Sequence, residues 1–305
     1  MAVPHPEDAL ARLQKLLGKG LPPVLLVTGP NDLFRAEAVD LALAAMPKDA
    51  ELRIVDAVDV RAGGGGEADD GDDEDDAAGD DGAEGLGTCP ELQDLRGGGL
   101  FARATFVVIR RGAKWWRVHG AAVAAQAPKF QRGSGLVIEA VRLDKRKKVC
   151  ATFVKQVAAD GGEFEFRDLY ELPFDRSRSP LEGELCKWVV RRAAKLGVPL
   201  LPEAAWLGVA QVCRVPAELL AELSPPRAQF RAGSPKQPLG PGDLRGRLTC
   251  SFEATPFELA DAVLGGDARA ALRAVRAMFD RGVRGKDGKT TDVGGVLPFT
   301  TSWLH

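Results

Sequence analysis

The sequence is poor in the residues that build metal and redox centres. Its 305 residues include three histidines and five cysteines, and no two cysteines form a C-x-x-C pair. An odd, scattered set of thiols is typical of reduced cysteines packed as small apolar groups, and it argues against a disulfide framework or a zinc site. The histidines are too few and too far apart in the sequence to suggest a metal cluster or a histidine-based catalytic centre. We therefore expect neither a metal nor another cofactor.

Long apolar runs and a targeting segment are also missing. No run approaches the roughly 20 apolar residues of a membrane span. The start, MAVPHPEDALARLQKLLGKG, lacks the apolar core and small-residue cleavage site of a signal peptide. With 45% hydrophobic and 28% charged residues, the composition is that of a globular protein long enough for two or three domains. We expect a cytoplasmic protein that does not enter a membrane.

Negative charge is concentrated in one segment. Residues 62–87 carry eleven acidic side chains and no basic one, so the formal net charge of −2 leaves −2 + 11 = +9 on the rest of the chain. This glycine-rich, self-repelling tract has almost no apolar content to offset the entropy of ordering, and we expect it to be disordered. A role as a DNA mimic or partner-binding tract stays open. The positive remainder favours a polyanionic partner, although such an excess also occurs in proteins that bind none.

The segment VLLVTGPNDLFRAEAV, residues 24–39, has the pattern of a phosphate-binding loop whose functional residues are changed. Four apolar residues predict a buried strand, Gly29 and Pro30 break it, and Asn31 or Asp32 can cap a helix. If Gly29 is the first glycine of G-x-x-x-x-G-K-[ST], the second glycine is Phe34, the lysine is Arg35 and the hydroxyl residue is Ala36. We predict a degenerate loop that binds no nucleotide. An ordinary strand-turn-helix that never bound phosphate fits the same residues.

Strands and helices alternate up to about residue 167, which predicts an α/β fold with a parallel sheet. Apolar runs at ATFVVIR (104–110), GLVIEAV (135–141) and GEFEFR (162–167) are the later strands, and Asp144 is placed to cap the helix that follows the second of them. From Pro180 onward the pattern indicates helices only, interrupted by a proline-rich segment over residues 224–243.

Taken in order, these stretches resemble the delta subunit of bacterial DNA polymerase III, a clamp-loader subunit. The resemblance rests on VLLVTGPNDLFRAEAV, LQDLRGGGLFARATFVVIRRGAKWW, GLVIEAVRLDKRKK, GEFEF, ELCKWVVRRAAKLGVPLLPEAA and FELADAVLGGDARAALRAVRAMF. It implies an AAA+-like parallel-sheet domain over residues 1–174 that contains the acidic tract, a helical lid over 175–245, and an all-helical collar over 246–305. Family members continue beyond the position that matches Trp303, so we expect a truncated collar.

The resemblance also implies a role in DNA replication without catalysis by this chain. Delta subunits bind and open the sliding clamp (the beta subunit), assemble with the sister subunits delta-prime and tau/gamma, and meet DNA in the assembled complex. The loader belongs to a DNA-directed DNA polymerase, a nucleotidyltransferase complex. In this family a leucine-phenylalanine pair enters an apolar pocket on the clamp, and Leu100 and Phe101 match its position. The residues alone also permit a second interpretation, in which this pair packs under the sheet.

Basic residues follow two of the predicted strands. Lys145, Arg146, Lys147 and Lys148 are candidate DNA contacts because lysine and arginine neutralise phosphates; from the residues alone, a solvated helix face is the simpler explanation. Further basic residues in the matching regions are Arg110, Arg111, Lys114, Arg117 and Arg142.

Two other functions stay open at this stage. The chain would be an NTPase or kinase if Arg35 replaced the phosphate-loop lysine, but Ala36 offers no oxygen to a magnesium ion. It would instead be the sister subunit delta-prime, or another scaffold of the complex, if it carried that subunit's cysteine cluster and arginine-finger motif. Its cysteines are scattered, and Ser177-Arg178-Ser179 is only a loose match to that motif.

Overall fold

The computed structural model describes residues 3–57, 89–96, 103–175, 177–211, 215–224, 233–234, 236–245, 247–248, 259, 262–281, 283–284 and 290–291. The acidic tract and the pair Leu100 and Phe101 lie outside these ranges. The chain divides into two compact units, residues 1–169 and 170–305. The lid and collar boundaries proposed from the sequence stay predictions.

The first unit alternates strands and helices, as the sequence predicts. Its elements, in chain order, are α1 (Pro6–Leu17), β1 (Val24–Thr28), α2 (Asp32–Ala44), β2 (Glu51–Asp56), α3 (Pro90–Asp94), β3 (Thr105–Arg110), α4 (Ala113–Gln126), β4 (Gly135–Glu139), α5 (Lys148–Ala159) and β5 (Glu163–Glu165). A short 3-10 helix, Ala127–Lys129, follows α4.

The five strands form one parallel sheet in the order β2-β3-β4-β1-β5. β1, β3 and β4 are mostly apolar and almost entirely buried, and they lie inside the sheet, whereas β2 at one edge has mostly exposed side chains. Continuous apolar strands are typical of a parallel sheet covered by helices on both faces. The α/β fold class predicted from the sequence is confirmed.

The core on one face of the sheet is built around the two tryptophans that open α4. Trp115 and Trp116 are buried there among side chains of α3, α5 and the inner strands. At Gly120 an added Cβ would lie 2.9 Å from the Trp116 ring and 3.1 Å from the Cys150 sulfur, so glycine allows α4 and α5 to approach closely. On the other side, α2 packs on β1 and β4 and against α1.

The second unit is mostly helical. Its elements are α6 (Glu184–Lys195), α7 (Pro202–Gln211), α8 (Pro216–Leu223), α9 (Pro241–Leu244), α10 (Ala268–Arg281), β6 (Val283–Arg284) and β7 (Thr290–Thr291), with a 3-10 helix at Pro180–Glu182. α6 packs against α7 and α8 around the buried Trp188 and Val189. Within the proline-rich segment, Leu239 pairs with Leu200 and is fully buried, so this part is attached to the helices.

Candidate functional site

The turn after β1 has the shape expected of a phosphate loop, but its glycine serves a structural purpose. Gly29 has φ +116°, and a Cβ at this position would lie 2.2 Å from the carbonyl oxygen of Phe166. Asn31 caps α2 by accepting a hydrogen bond from the N–H of Phe34 (3.3 Å), as the sequence predicts. The strand, tight turn and helix start are therefore present as a local fold.

The N–H groups of this turn are directed to acceptors inside the protein. Gly29 donates to the carbonyl oxygen of Val141 (3.1 Å), and Asn31 donates to that of Phe166 (3.2 Å). In the first turn of α2, the N–H groups of Leu33, Phe34 and Arg35 donate to Asp32 Oδ1, Asn31 Oδ1 and the Asn31 carbonyl oxygen. A phosphate cradle needs backbone N–H groups that are free to meet anionic oxygens. These five are already bonded.

The side chains that replace the phosphate-loop residues fill the same space from within. Phe34 is fully buried and its ring is stacked on Phe166, with ring centroids 6.4 Å apart. Arg35 is 7% exposed; its Nε donates to Glu139 Oε1 (2.6 Å) and its Nη1 donates to the carbonyl oxygen of Gly29. Ala36 is exposed on α2. Instead of reaching outward like a phosphate-binding lysine, Arg35 turns inward and forms a buried ion pair.

Glu139 is a buried residue of this site that the sequence pattern does not single out. It ends β4, is 8% exposed, and accepts from Arg35 at one oxygen and from the N–H of Arg111 at the other (2.9 Å). A buried carboxylate is costly unless it is paired and hydrogen-bonded, and here both oxygens are satisfied. The signal was available, because a glutamate at the end of the apolar run GLVIE requires a buried cation or donor nearby.

A groove of about 960 Å³ opens beside this loop at the carboxyl ends of the strands. Its lining residues, which we call the carboxyl-edge groove, are Thr28, Gly29, Pro30, Ala113, Lys114, Arg117, Val141, Arg142, Leu143, Asp144, Lys145, Arg146, Glu163 and Glu165. In open parallel sheets, ligands bind in the crevice outside the carboxyl ends of the strands.

Positive charge dominates this groove. It contains five basic residues, of which Lys145 pairs with Glu163 (3.3 Å) and Arg146 pairs with Asp144 (2.8 Å). Hydrogen bonds from the side chain and backbone of Arg146 lower the pKa of Asp144 to about 2, so this carboxylate is ionised at neutral pH. The other three bases, Lys114, Arg117 and Arg142, are exposed and form no ion pair within 4 Å in the part of the chain that the structure describes; the charge of Arg117 adds to the lowering of the Asp144 pKa.

The structure places the four candidate DNA contacts predicted from the sequence in two different locations. Lys145 and Arg146 lie in the carboxyl-edge groove with their charges partly neutralised, whereas Lys147 and Lys148 are exposed beyond it. The predicted capping role of Asp144 is wrong. α5 begins at Lys148, and Asp144 Oδ1 instead accepts from the N–H of Arg146 (2.9 Å) in the irregular segment before the helix.

The rest of the described residues show no second candidate site of three kinds: a metal site, a membrane-spanning helix or a reactive thiol. Among them, no group of three or more His, Cys, Asp or Glu side chains is arranged to hold a metal ion. Within the same ranges, no helix has the length and apolar character needed to cross a membrane. Cys89, Cys150 and Cys186 are buried free thiols; burial raises the pKa of each, to about 12 for Cys89, where a hydrogen bond to Glu91 adds to the effect.

Among solved structures, the chain is similar to the DNA clamp loader delta protein YqeN of Bacillus subtilis, with 14% sequence identity and a TM-score of 0.48 over 89% of this chain and 71% of that one. It is also similar to the ORC2 protein of Aeropyrum pernix, with 12% identity and a TM-score of 0.36 over 97% of this chain and 85% of that one. No protein-family model and no curated protein matches the chain. Both TM-scores are below 0.5, so neither similarity carries an argument about what the chain binds or does.

Proposed function

We propose that this chain is a delta-type clamp-loader subunit that binds and opens the sliding clamp without using a nucleotide of its own. The observation that carries the proposal is the filled phosphate loop. Arg35, which occupies the position of the loop lysine, is committed to Glu139 and Gly29, and five of the loop N–H groups are bonded within the protein. A chain with this loop can act by binding, not by turnover.

The sequence supplies the rest of the support. The stretches that resemble delta subunits run in family order from residue 24 to residue 279, and the α/β sheet unit contains those expected to form its strands. In the proposed mechanism, Leu100 and Phe101 enter an apolar pocket on the clamp and favour its open interface. The chain assembles with delta-prime and tau/gamma, and the ATP-hydrolysing sister subunits control when this surface is available.

The energy available from two apolar side chains is sufficient for this mechanism. Burying a leucine and a phenylalanine contributes roughly 3–6 kcal/mol before the costs of association. Since about 1.4 kcal/mol corresponds to a tenfold change in affinity, the pair accounts for roughly two to four decades.

The test is equilibrium binding of the full chain to the cognate sliding clamp. We expect the wild type to bind, and we expect the variant carrying Leu100→Ala and Phe101→Ala to lose roughly two to four decades of affinity while keeping its circular dichroism spectrum. A matched control removes a different apolar pair, one that is exposed in the structure: Leu52→Ala with Ile54→Ala on β2, where these side chains are 48% and 52% exposed. The control should bind like the wild type.

Two results would overturn the proposal. The first is a folded Leu100 and Phe101 variant that binds the clamp at wild-type strength. The second is micromolar binding of labelled ATP with magnesium to the isolated chain, which would instead favour the NTPase or kinase interpretation.

A further inference from the structure

The second unit begins with a cluster of three bulky apolar side chains that are open to solvent. Tyr170, Leu172 and Phe174 are 42%, 53% and 83% exposed. The rings of Tyr170 and Phe174 meet edge to face, with their centroids 4.7 Å apart. Single apolar residues are common on protein surfaces, but a group that includes two aromatic rings is typical of a surface that contacts another molecule.

These side chains form one wall of a hollow of about 270 Å³, which lies wholly within the second unit. We call it the aromatic hollow, and its lining residues are Tyr170, Leu172, Pro173, Phe174, Asp175, Arg178, Glu182 and Glu184. Pockets that enclose small-molecule ligands or cofactors are usually larger. The aromatic hollow has instead the size to take one bulky side chain of a partner.

The rim of the aromatic hollow is acidic. The lining includes three acids, Asp175, Glu182 and Glu184, and one base, Arg178, which leaves a formal charge of 1 − 3 = −2. Hydrogen bonds from the side chain and backbone of Ser177 hold the pKa of Asp175 below its usual range, so this carboxylate is ionised at neutral pH. Because the chain outside the acidic tract carries an excess of −2 + 11 = +9, this negative patch differs from the body of the protein and favours a cationic partner.

Hydrogen bonds and ion pairs hold the aromatic hollow in shape. Tyr170 donates its N–H to Glu184 Oε2 (3.2 Å), and its carbonyl oxygen accepts from the N–H of Leu185 (3.0 Å), so the segment is attached to the start of α6. Across the rim, Arg178 pairs with two of the three carboxylates, at 3.7 and 3.6 Å. Groups that are ordered in advance lose little conformational entropy when a partner binds.

We propose that the aromatic hollow is a docking site for a protein segment that presents one bulky apolar side chain beside an arginine or lysine. The apolar side chain packs against Leu172 and Phe174, and the cation meets the carboxylates of the rim. Arginine is the better cation because it pairs with a carboxylate through two hydrogen bonds and also stacks on aromatic rings. No residue of the hollow takes part in the proposed contact with the clamp, so the test does not depend on the proposed function.

Tyr170 makes binding at the hollow directly observable, because it is the only tyrosine in the sequence. Expression with 3-fluorotyrosine therefore gives the full chain a single fluorine-19 NMR signal, located in the hollow. The probe is the synthetic peptide Gly-Ser-Arg-Trp-Arg-Ser-Gly, which we call the arginine peptide. Two matched peptides separate the parts of the proposal: the serine peptide has serine in place of tryptophan, and the glutamate peptide has glutamate in place of both arginines.

Titration with the arginine peptide should shift the fluorine signal saturably, with a Kd of roughly 0.1–1 mM for so short a segment. The serine and glutamate peptides should each bind at least about tenfold more weakly, because the first lacks the apolar anchor and the second meets the rim with like charge. Raising the salt concentration should weaken binding of the arginine peptide, since part of the attraction is between exposed charges.

Two single variants locate the binding on the aromatic wall. Phe174→Ser should weaken binding of the arginine peptide by roughly tenfold or more, because this ring is the most exposed part of that wall. Leu272→Ser on α10 is the matched control; it removes a side chain that is 71% exposed elsewhere in the second unit, and it should leave the Kd unchanged.

A gain-of-function variant guards against a loss caused by misfolding. Arg178→Gln removes the one base of the lining and frees the carboxylates with which it pairs. It should tighten binding of the arginine peptide by roughly two- to fivefold at low salt.

Four outcomes would overturn this proposal. The first is the absence of a saturable shift at arginine-peptide concentrations up to about 5 mM. The second is equal affinity for the arginine and glutamate peptides, and the third is wild-type affinity of the Phe174→Ser variant. The fourth is a fluorine signal that moves with the concentration of the chain alone, because a second copy of the protein would then occupy the hollow.

Discussion

At the scale of single residues, Gly29 is held where both the backbone conformation and the available space require glycine. Its φ of +116° is unfavourable for any side chain, and a Cβ would meet the backbone of Phe166 at 2.2 Å. Gly20 has nearly the same φ, +118°, but a Cβ there would have no neighbouring atom within 4 Å. Substitutions at these two glycines therefore distinguish the cost of backbone strain from the cost of a steric clash.

We predict that Gly20→Ala lowers the free energy of unfolding by about 1–2 kcal/mol and that Gly29→Ala lowers it by about 2–4 kcal/mol more. Urea unfolding followed by circular dichroism measures both. Equal effects at the two positions would mean that the Phe166 backbone yields to the new methyl group, and Gly29 would then be replaceable.

The buried pair of Arg35 and Glu139 gives a second prediction at this scale. Glu139→Gln leaves the Arg35 guanidinium buried without a counter-charge, and breaking one partner of a buried pair costs about 3–5 kcal/mol. We expect the same method to show a loss of this size, with much of it recovered when Arg35→Met is added. A loss under about 1 kcal/mol would mean that Arg35 can turn out to solvent.

At the scale of the elements, Lys114 lies at the start of α4, where its charge opposes the helix dipole. We predict that Lys114→Glu raises the free energy of unfolding by about 0.5–1.5 kcal/mol, because it reverses that interaction and places a carboxylate three residues before Arg117. Lys195→Glu, in the last turn of α6, should have the opposite sign on stability.

Thermal and urea unfolding test whether Lys114→Glu raises the free energy of unfolding and whether Lys195→Glu lowers it. If Lys114→Glu destabilises the protein, then Lys114 contributes a packing or ionic interaction to α4, and its position in the groove would reflect folding and not ligand binding.

The sequence predicts the presence of helices and strands better than it predicts where they end or what they contact. The apolar runs after residues 23, 103 and 134 predict β1, β3 and β4 because a buried parallel strand needs continuous apolar residues, and all three strands are present. The sequence predicts that Asp144 caps a helix because aspartate is a good N-cap, but Asp144 forms a local turn with Arg146 instead. Local preference leaves this choice open, and the tertiary bond from Trp116 to the Asp144 carbonyl favours the observed turn.

The candidate functional site shows the same limit, because the sequence predicts its local features but not its long-range contacts. The changed residues at positions 34–36 predict a loop unlike a phosphate loop, since the comparison is local in sequence. The sequence could not show where Arg35 would point, because its partner Glu139 is 104 residues away. For the same reason, Lys114, Arg117 and Arg142 are unrelated basic residues in the sequence, and only the order of the strands brings them to one groove.

At the scale of the whole molecule, the charge is divided between a positive body and a negative tract. The tract at residues 62–87 holds eleven acidic residues against a net charge of −2 for the chain, which leaves +9 elsewhere. It is attached a few residues after β2, a parallel strand that ends at the same edge of the sheet as the carboxyl-edge groove. Tethered carboxylates near a cationic groove compete with an incoming polyanion at high local concentration.

We predict that replacing the eleven acidic residues of the tract with Asn and Gln tightens binding of a labelled DNA duplex of about 20 base pairs by roughly tenfold or more at low salt, with the difference shrinking as salt rises. Fluorescence anisotropy of the labelled duplex, titrated with the full chain at several salt concentrations, measures this effect. A variant with the tract residues shuffled at constant composition is the control. Because the competition depends on charge and not on order, the shuffled tract should behave like the wild type. An unchanged affinity after neutralisation would mean that the tract does not reach the groove, and the positive body would then bind DNA without internal competition.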